Sequence, residues 1–355
     1  MRSRGGTWLL GAALGLASIG SAGAQVKTPA PAVVAGAKAV TIERITVHSP
    51  AITGNLEGNS PDRAVIVILP PGYRTSPGKR YPVVYALHGY SIGVEQWIGE
   101  IHVPQTIEGA FARGVREMIV VLPDSKTVHN GSFYSSSVTV GDFETFIARD
   151  LVAYVDGHYR TIADRRSRGL AGHSMGGYGT ARIGMKHPET FGALYMMSPC
   201  CLSTRALGVP DAANEAALRS LRAPADSAGL SWGLRAQLAT AAAWSPNPKA
   251  PPLFLDLPVK DGVPQPDVLA RWSANAPLAM LDQYAGNLKR YAAIGIDVGD
   301  RDGLKDDAAK LHTGLNRYGI ANSFEIYPGD HTSGVAGRVQ DKMLPFFSRA
   351  LVFGR

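Results

Sequence analysis

Residues 169–179 read Gly169-Leu170-Ala171-Gly172-His173-Ser174-Met175-Gly176-Gly177-Tyr178-Gly179 and contain the pattern Gly-x-Ser-x-Gly. A short apolar run precedes the pattern, and a helix-like run follows it to about His187. A strand, a sharp turn and a helix around this pattern are typical of a nucleophilic serine, because the strained turn lifts the hydroxyl clear of the sheet. The glycines two residues before and after the serine leave room for such a turn. We therefore predict that Ser174 is a nucleophile; the alternative is a glycine-rich turn with a chance serine.

A serine nucleophile needs a histidine as its base and an acid that orients the histidine, and the chain supplies both in the order acid, then histidine. The strand-like run 291–298 is followed by Gly299-Asp300-Arg301-Asp302, and the strand-like run 323–327 is followed by Pro328-Gly329-Asp330-His331. The carboxyl ends of parallel strands share one rim, where ligands bind. We predict Asp302 as the orienting carboxylate, with Asp300 as its rival, and His331 as the base.

Two backbone N–H groups should stabilise the oxyanion that forms when a serine attacks a carbonyl. One is the N–H of Met175, the residue after the predicted nucleophile. The second should come from the loop after the third strand, His88-Gly89-Tyr90, and we favour the N–H of Tyr90.

Several other histidine and aromatic side chains near the predicted rim are candidates for a structural or substrate-binding role. His173 should point away into packing and His88 should shape its loop, whereas His102 and His129 are loop residues for which a surface role competes with substrate contact. Tyr90, Trp97 and Tyr134 are candidates for aromatic walls around a sugar or phenolic ester, against the alternative that they are core residues.

The chain of 355 residues is long enough for one large α/β domain with a buried core. Strand-like and helix-like runs alternate, which predicts a mainly parallel central sheet with helices on both faces. The predicted strands are 41–47, 63–69, 81–87, 118–122, the run before Ser174, 191–197, 291–298 and 323–327. Residues 202–288 interrupt the alternation between strands six and seven, and we interpret them either as a cap-like insertion or as core helices at the sheet edge.

The first 24 residues resemble an export signal: Arg2 and Arg4, an apolar run over 8–19, and Ala22-Gly23-Ala24 before Gln25. An uncleaved N-terminal anchor is the alternative. We expect residues 25–40 to be a flexible leader and 41–355 to be the folded domain, in a periplasmic or secreted protein, with no further membrane span.

The formal net charge is +7, and subtracting Arg2 and Arg4 leaves +5, spread along the chain, which argues against a nucleic-acid site. The two cysteines, Cys200 and Cys201, are adjacent, so the sequence has no metal-ligand spacing and no disulfide framework. They are either two thiols or a strained vicinal disulfide. We predict no metal site.

Several segments together resemble the putative-esterase family, which includes esterase D, feruloyl and acetyl-xylan esterases, enterochelin esterases and the mycobacterial mycolyltransferases. They are Pro70-Pro71-Gly72-Tyr73, Val121-Leu122-Pro123-Asp124, Gly131-Ser132-Phe133-Tyr134, parts of 142–161, the run Arg168 to Gly179, and Tyr327-Pro328-Gly329-Asp330-His331. The resemblance covers about 63–199 and resumes at 291. It implies an α/β-hydrolase fold, a Ser-Asp-His triad and no cofactor, and it supports Asp302, through a Gly-x-x-Asp pattern, and Tyr90.

The sequence departs from the family pattern in three places. Phe133-Tyr134 stands where many members have Trp-Tyr, Ser125-Lys126 stands where they have Gly-Asn, and residues 202–288 have no match. Because the unmatched region usually shapes the acyl or alcohol pocket, the resemblance does not carry a particular substrate with it.

These observations predict an exported serine carboxylic-ester hydrolase that acts on a small-molecule or carbohydrate-linked ester through an acyl-enzyme. An acyltransferase with the same triad is the first alternative. A non-catalytic carbohydrate-binding relative is the second, and the presence of all three triad residues argues against it. The sequence makes no prediction of the oligomeric state.

Overall fold

The computed structural model of the protein describes residues 28–204 and 212–354. Its centre is an eight-stranded sheet with the strand order β1-β2-β4-β3-β5-β6-β7-β8. Strand β2 runs antiparallel to both β1 and β4, and every other neighbouring pair is parallel. The strands are β1 Thr41–His48, β2 Asp62–Leu69, β3 Val83–Leu87, β4 Ile119–Pro123, β5 Arg168–His173, β6 Ala193–Met197, β7 Ala293–Gly299 and β8 Ser323–Tyr327. The expectation of a mainly parallel central sheet is confirmed.

Ten longer helices accompany the sheet in the described residues. They are α1 Val94–Glu100, α2 Gln105–Ala112, α3 143–158, α4 Met175–Lys186, α5 Ala212–Ser220, α6 Trp232–Trp244, α7 Pro266–Ala274, α8 Pro277–Leu288, α9 Lys305–Arg317 and α10 335–350. Helices α3 and α10 each contain a π-helical turn, Phe146–Asp150 and Val339–Met343. Short elements complete the fold: the helical turns Pro50–Ile52, Gly72–Thr75, Arg165–Ser167 and Pro224–Gly229, and two-residue strand pairs at Ser136–Ser137 with Gly141–Asp142 and Val259–Lys260 with Val263–Pro264.

The central strands are buried on both faces, which explains their continuous apolar sequences. In β3, Val83, Tyr85 and Leu87 face the core shared with α3 and α4, whereas Val84 and Ala86 face a second core shared with α1, α2 and α10. This alternation follows from the two-residue period of a strand. The sheet is therefore fixed from both sides.

The parallel strands β5 to β8 end at one edge of the sheet. His173 at the end of β5 pairs with Met197 at the end of β6, and Gly299 at the end of β7 pairs with Tyr327 at the end of β8. The residues that follow β5, β7 and β8 therefore emerge at the same edge of the sheet, as the sequence predicts, with β6 between β5 and β7.

The segment between β6 and β7 combines the two interpretations given above. Trp244 in α6 and Trp272 in α7 are buried in the same core as Phe133 and Tyr178, and α8 packs against α4. Trp232, at the start of α6, is exposed instead. Parts of the segment thus belong to the core, and other parts, including Trp232, are exposed.

Residues 28–40, the described part of the expected leader, contain no helix or strand but are attached to the domain, so the expectation of a flexible leader is wrong for them. The hydroxyl of Thr28 donates to the carbonyl of Glu100 at 2.7 Å, and the N–H of Val40 donates to Glu108 at 3.0 Å. These long-range hydrogen bonds have no local signal in an Ala- and Pro-rich sequence. The expected signal, residues 1–24, lies outside the described residues.

Within the described ranges, no helix is both long enough and apolar enough to cross a membrane.

Candidate active site

Ser174 occupies a strained turn between β5 and α4, with φ 57° and ψ −114°. A side chain at positive φ is disfavoured, so surrounding contacts must hold the conformation. The N–H of Ser174 donates to the carbonyl of Met197 at 3.0 Å, and the carbonyl of Ser174 accepts from Tyr178 at 3.0 Å and from Cys200 at 3.1 Å. The turn is thus fastened to β6, to the helix and to the chain after β6.

The two glycines that flank the serine are required by space. A Cβ on Gly172 would lie 2.3 Å from the carbonyl carbon of Gly176, and a Cβ on Gly176 would lie 2.1 Å from the carbonyl oxygen of Leu87 in β3. Both positions are far inside van der Waals contact with backbone that has no room to move. The crowding within the turn is as expected from the sequence, and the contact of Gly176 with β3 adds to it.

The three predicted side chains come together at the rim. His331 Nε2 is 2.9 Å from Ser174 Oγ, and His331 Nδ1 is 2.8 Å from Asp302 Oδ2. A carboxylate accepts a hydrogen bond, so Nδ1 carries the proton and Nε2 is left to accept from the serine hydroxyl. The side chain of Asp302 is 2% exposed and that of His331 is 36% exposed. The imidazole therefore has a buried acid behind it and an accessible nucleophile in front.

The carboxyl of Asp302 is arranged to stay ionised. Burial alone would raise its pKa, but the hydrogen bond and charge of His331, together with the N–H of Leu304 at 2.9 Å, outweigh burial and lower the pKa. An ionised acid behind the ring stabilises the imidazolium that forms when the ring takes a proton.

The neighbouring acids serve other contacts. Asp300 accepts from the N–H of Gly329 at 2.9 Å, and Asp330 accepts from the N–H groups of Thr332 and Ser333 at 2.9 and 2.8 Å. Asp297 is buried within β7, where its carboxylate binds Arg338 at 2.8 Å. The structure thus places Asp302, and not its rival Asp300, against the histidine.

His173 packs in the interior, as expected, but it also has a contact that the sequence did not reveal. Its Nε2 is 2.8 Å from the carbonyl oxygen of His331, so the ring donates an N–H and fixes the loop that carries the base. Its other side stacks on Trp97, with 5.8 Å between centroids and 8° between planes. Burial and then the nearby His331 lower the pKa of His173 to about 3, so it stays neutral beside the base.

The predicted oxyanion donors lie next to the nucleophile. Met175 is the first residue of α4, where backbone N–H groups have no partner within the helix. A Cβ on Gly89 would lie 3.5 Å from Ser174 Cβ, which is ordinary contact, so the chain at 89–90 runs beside the serine without glycine being required. His88 shapes this loop: its ring accepts from the N–H of Ser125 and bonds to the carbonyl of Gly89, both at 2.8 Å. Donation to an oxyanion by Tyr90 and Met175 stays a prediction.

Two of the three expected aromatic walls are interior residues. Trp97 is buried against His173, and Tyr134 is fully buried with its hydroxyl donating to the carbonyl of His88 at 2.9 Å. The expectation that they contact substrate is wrong for this arrangement, because neither presents surface at the rim. Tyr90 is half-buried and its ring meets the exposed Trp232, a residue that the sequence argument did not select.

A buried acid–base pair lies beneath Tyr90. His129 Nε2 is 3.4 Å from Glu57 Oε1, both side chains are inaccessible, and the Tyr90 hydroxyl donates to the carbonyl of His129 at 2.9 Å. Burial raises the pKa of Glu57 to about 8 and lowers that of His129 to about 4, so both are neutral at neutral pH. His129 is therefore neither a surface residue nor a substrate contact. His102 is half-buried, and its ring bonds to the carbonyl of Thr28 at 2.7 Å.

Two further questions from the sequence are whether the chain has a metal site and whether its two cysteines form a disulfide. In the part of the chain that the structure describes, no three His, Cys, Asp or Glu side chains are grouped so that they could hold a metal ion. Cys200 and Cys201 are not joined by a disulfide, and their sulfur atoms are 2.6 Å apart.

The fold and the serine at its elbow define a protein of the α/β-hydrolase class. The chain belongs to the family described as "Putative esterase", which matches residues 59–333. The resemblance noted from the sequence is thereby confirmed, and the family is one of esterases.

Individual relatives match over shorter stretches. The chain is 35% identical over 130 residues to the esterase Rv1288 of Mycobacterium tuberculosis, which is 35% of this chain and 26% of that protein. It is 32% identical over 139 residues to an endo-1,4-beta-xylanase/feruloyl esterase of Xylanibacter ruminicola, which is 37% of this chain and 19% of that protein. The chain thus matches about a quarter or less of the length of these relatives.

A solved structure extends the likeness to nearly the whole fold. A ferulic acid esterase superposes with a TM-score of 0.63 and 24% identity, over 88% of this chain and 98% of the other. At this identity the likeness shows the fold alone, and it confirms the expected α/β-hydrolase architecture.

The Glu57–His129 pair gives stability a distinctive dependence on pH. Because the pKa of Glu57 is raised, its contribution is fully present below the ordinary carboxyl pKa and is lost as pH rises toward about 8. His129 and His173, whose pKa values are lowered, lose their contribution only as pH falls below about 6.5, so they do not interfere above it. We expect the contribution of Glu57 to the free energy of unfolding to fall by about 1.4 kcal/mol per pH unit near pH 6.5, and by less as the pH approaches 8.

Urea denaturation of wild type and Glu57→Gln at both ends of this range measures the effect. The glutamine keeps the shape of the neutral acid and should make the slope shallower by the contribution of Glu57. A smaller slope of the same sign should remain, because the hydrogen bond with Glu144 raises the pKa of His187 above its ordinary value. Glu325→Gln is the control, because the hydrogen bond with Arg338 outweighs burial at this half-exposed acid and lowers its pKa to about 2, far from the range measured. A slope as steep in Glu57→Gln as in wild type would contradict the raised pKa of Glu57.

Proposed function

We propose that the protein is a serine carboxylic-ester hydrolase that works through an acyl-enzyme. The observation that carries the proposal is the position of His331, 2.9 Å from Ser174 Oγ on one side and 2.8 Å from Asp302 Oδ2 on the other. Membership of an esterase family supports the reaction type.

In the proposed first half-reaction, Ser174 Oγ attacks the ester carbonyl carbon while His331 Nε2 takes the hydroxyl proton. The negative charge that develops on the carbonyl oxygen is stabilised by the N–H groups of Tyr90 and Met175, with the N-terminal end of α4 adding a favourable field. The tetrahedral intermediate then expels the alcohol, which receives the proton from His331, and the acyl group stays on Ser174.

In the second half-reaction, His331 takes a proton from water as the water oxygen attacks the acyl carbon, and the same two N–H groups stabilise the oxyanion. The tetrahedral intermediate then expels Ser174 Oγ, which receives the proton from His331, and the carboxylic acid is released. Asp302 holds the ring in the tautomer that both steps need. An acyltransferase would differ only in using a second alcohol in place of water. The names of the matched relatives, which are esterases, favour water.

We propose further that residues 1–24 direct export and that 41–355 form one hydrolase domain with 202–288 as its insertion. The signal-like pattern around Ala22-Gly23-Ala24 supports export, as does a relative whose name joins an esterase to a xylanase, an enzyme of polysaccharide breakdown. Expression with the native N-terminus and intact-mass measurement of the mature chain should find it beginning at Gln25. A chain that retains residues 1–24 would favour the uncleaved anchor.

Replacement of Ser174 by alanine should remove serine-dependent ester hydrolysis and lower kcat by about 10⁵- to 10⁶-fold, since the nucleophile and its base act as a unit. The measurement is turnover of a series of p-nitrophenyl esters from acetyl to long acyl chains. Ser348→Ala is the control, because Ser348 bonds to the N–H of Arg116 near the opposite edge of the sheet. Wild-type rates in a well-folded Ser174→Ala protein would remove the proposed function.

The two acids after β7 should differ sharply. Asp302→Asn should lower kcat by about 10⁴-fold, because an amide at this position favours the wrong imidazole tautomer. Asp300→Asn should keep most of the activity, because the amide oxygen of asparagine still accepts the hydrogen bond from Gly329. Kinetics of both variants on one ester check the ranking, and the reverse order would transfer the orienting role to Asp300.

A further inference from the structure

Trp232 is the most exposed tryptophan among the described residues. It is the first residue of α6, and 66% of its surface is exposed, whereas Trp244 at the other end of the helix is buried. Burial of an indole stabilises a fold through the hydrophobic effect, and the exposed Trp232 side chain contributes little of this stabilisation. Single exposed apolar residues are common, so exposure alone does not indicate a function. The position of the ring relative to the site is the informative observation.

The ring is connected to the predicted nucleophile through Tyr90 and Gly89. Its centroid is 5.3 Å from that of Tyr90, and the two planes are at 85°. Tyr90 directly follows Gly89, and a Cβ built on Gly89 would lie 3.5 Å from Ser174 Cβ. Gly89 is thus the one residue between Tyr90, on which Trp232 packs, and Ser174. In an edge-to-face pair, one ring presents its edge to the other, so Tyr90 covers at most one face of the indole.

Four contacts hold the Tyr90–Trp232 pair in place. The Ser231 hydroxyl accepts from the N–H of Leu234 at 3.4 Å and caps the helix, and Arg235 donates to the carbonyl of Val128 at 2.6 Å. The ring of His129 bonds to the Ser227 hydroxyl at 2.8 Å, and the Tyr90 hydroxyl donates to the carbonyl of His129 at 2.9 Å.

Both partners of the pair are therefore tied to the same short loop, 128–130. A surface that is already fixed loses less conformational entropy when a ligand binds. An exposed indole held in this way provides a rigid flat surface beside the site.

We propose that Trp232 is a specificity-determining residue that stacks its free indole face on an aromatic ring of the ester substrate. The inference rests on the proposed function, and it extends that function by naming the residue that selects ring-bearing esters. Flat aromatic groups gain most from an indole, because offset stacking adds to the burial of apolar surface. The ring belongs either to the acyl group or to the alcohol, and the experiment separates the two.

Three esters divide the substrate into its parts: ethyl acetate has no ring, phenyl acetate has a ring in the alcohol, and methyl ferulate has a ring in the acyl group. Hydrolysis is followed by pH-stat titration for wild type, Trp232→Ala and Trp232→Phe. In Trp232→Ala we expect kcat/KM to fall about 10-fold for one or both ring-bearing esters, the size of a lost aromatic stacking contact. The loss should lie mainly in KM, as for binding that is equal in ground state and transition state.

The other variants guard against a general structural effect. Ethyl acetate should be hydrolysed at the wild-type rate by Trp232→Ala, and Trp232→Phe should recover most of the loss, because it restores a ring. Val263→Ala is the matched control, since Val263 is also an exposed apolar residue of the segment between β6 and β7, at 59% exposure. An equal ratio of variant to wild-type kcat/KM for all three esters overturns the proposal.

Binding to a protein that lacks the nucleophile separates this inference from the proposed function. Calorimetry of methyl ferulate and phenyl acetate with Ser174→Ala, and with Ser174→Ala combined with Trp232→Ala, measures the contact whether or not wild type hydrolyses either ester. A Kd raised about 10-fold for at least one ring-bearing ester supports the stacking role. Unchanged Kd values for both esters contradict it, whereas an inactive wild type contradicts only the proposed function.

Discussion

The close approach of α4 to β3 is the constraint on which the rest of the site depends. Gly176 lies so near the carbonyl oxygen of Leu87 that any side chain there would overlap backbone. This contact sets the start of the helix against the middle of the sheet, and the turn before it must then take the positive φ that exposes Ser174. The strain of that turn is balanced by hydrogen bonds to β6, to the helix and to the chain after β6.

Two imidazoles lie side by side in the site: His331 is placed to take a proton from Ser174, whereas His173 stays uncharged. His331 has an ionised acid on one side and a hydroxyl on the other. His173 lies against it, and a second charged ring there would repel the imidazolium. Burial prevents this by keeping His173 neutral, and the same ring supplies a donor that fixes the backbone of His331. One residue thus has both a mechanical and an electrostatic effect on the base.

The sequence was informative where the chemistry depends on local pattern or strand order. The elbow has a fixed spacing of glycines, and Asp302 and His331 follow strands whose ends must share one rim, so their meeting was predictable. Trp97 and Tyr134 were misjudged because exposure depends on which distant elements cover a side chain, and His173 and His88 cover them here. The Glu57–His129 pair and the attachment of Thr28 join residues 72 positions apart, and neither has a local signature.

Helix α6 begins with an exposed tryptophan and ends with a buried one. Its last turns fill the core beside Tyr178, so their side chains are constrained by packing, whereas Trp232 meets Tyr90 and leaves most of its surface to solvent. Truncation of Trp244 would leave a cavity in the core, whereas a smaller side chain at 232 would leave none. The surface beside the site can therefore change its chemistry without a change in the core, as long as Ser231 and Arg235 keep the first turn in place.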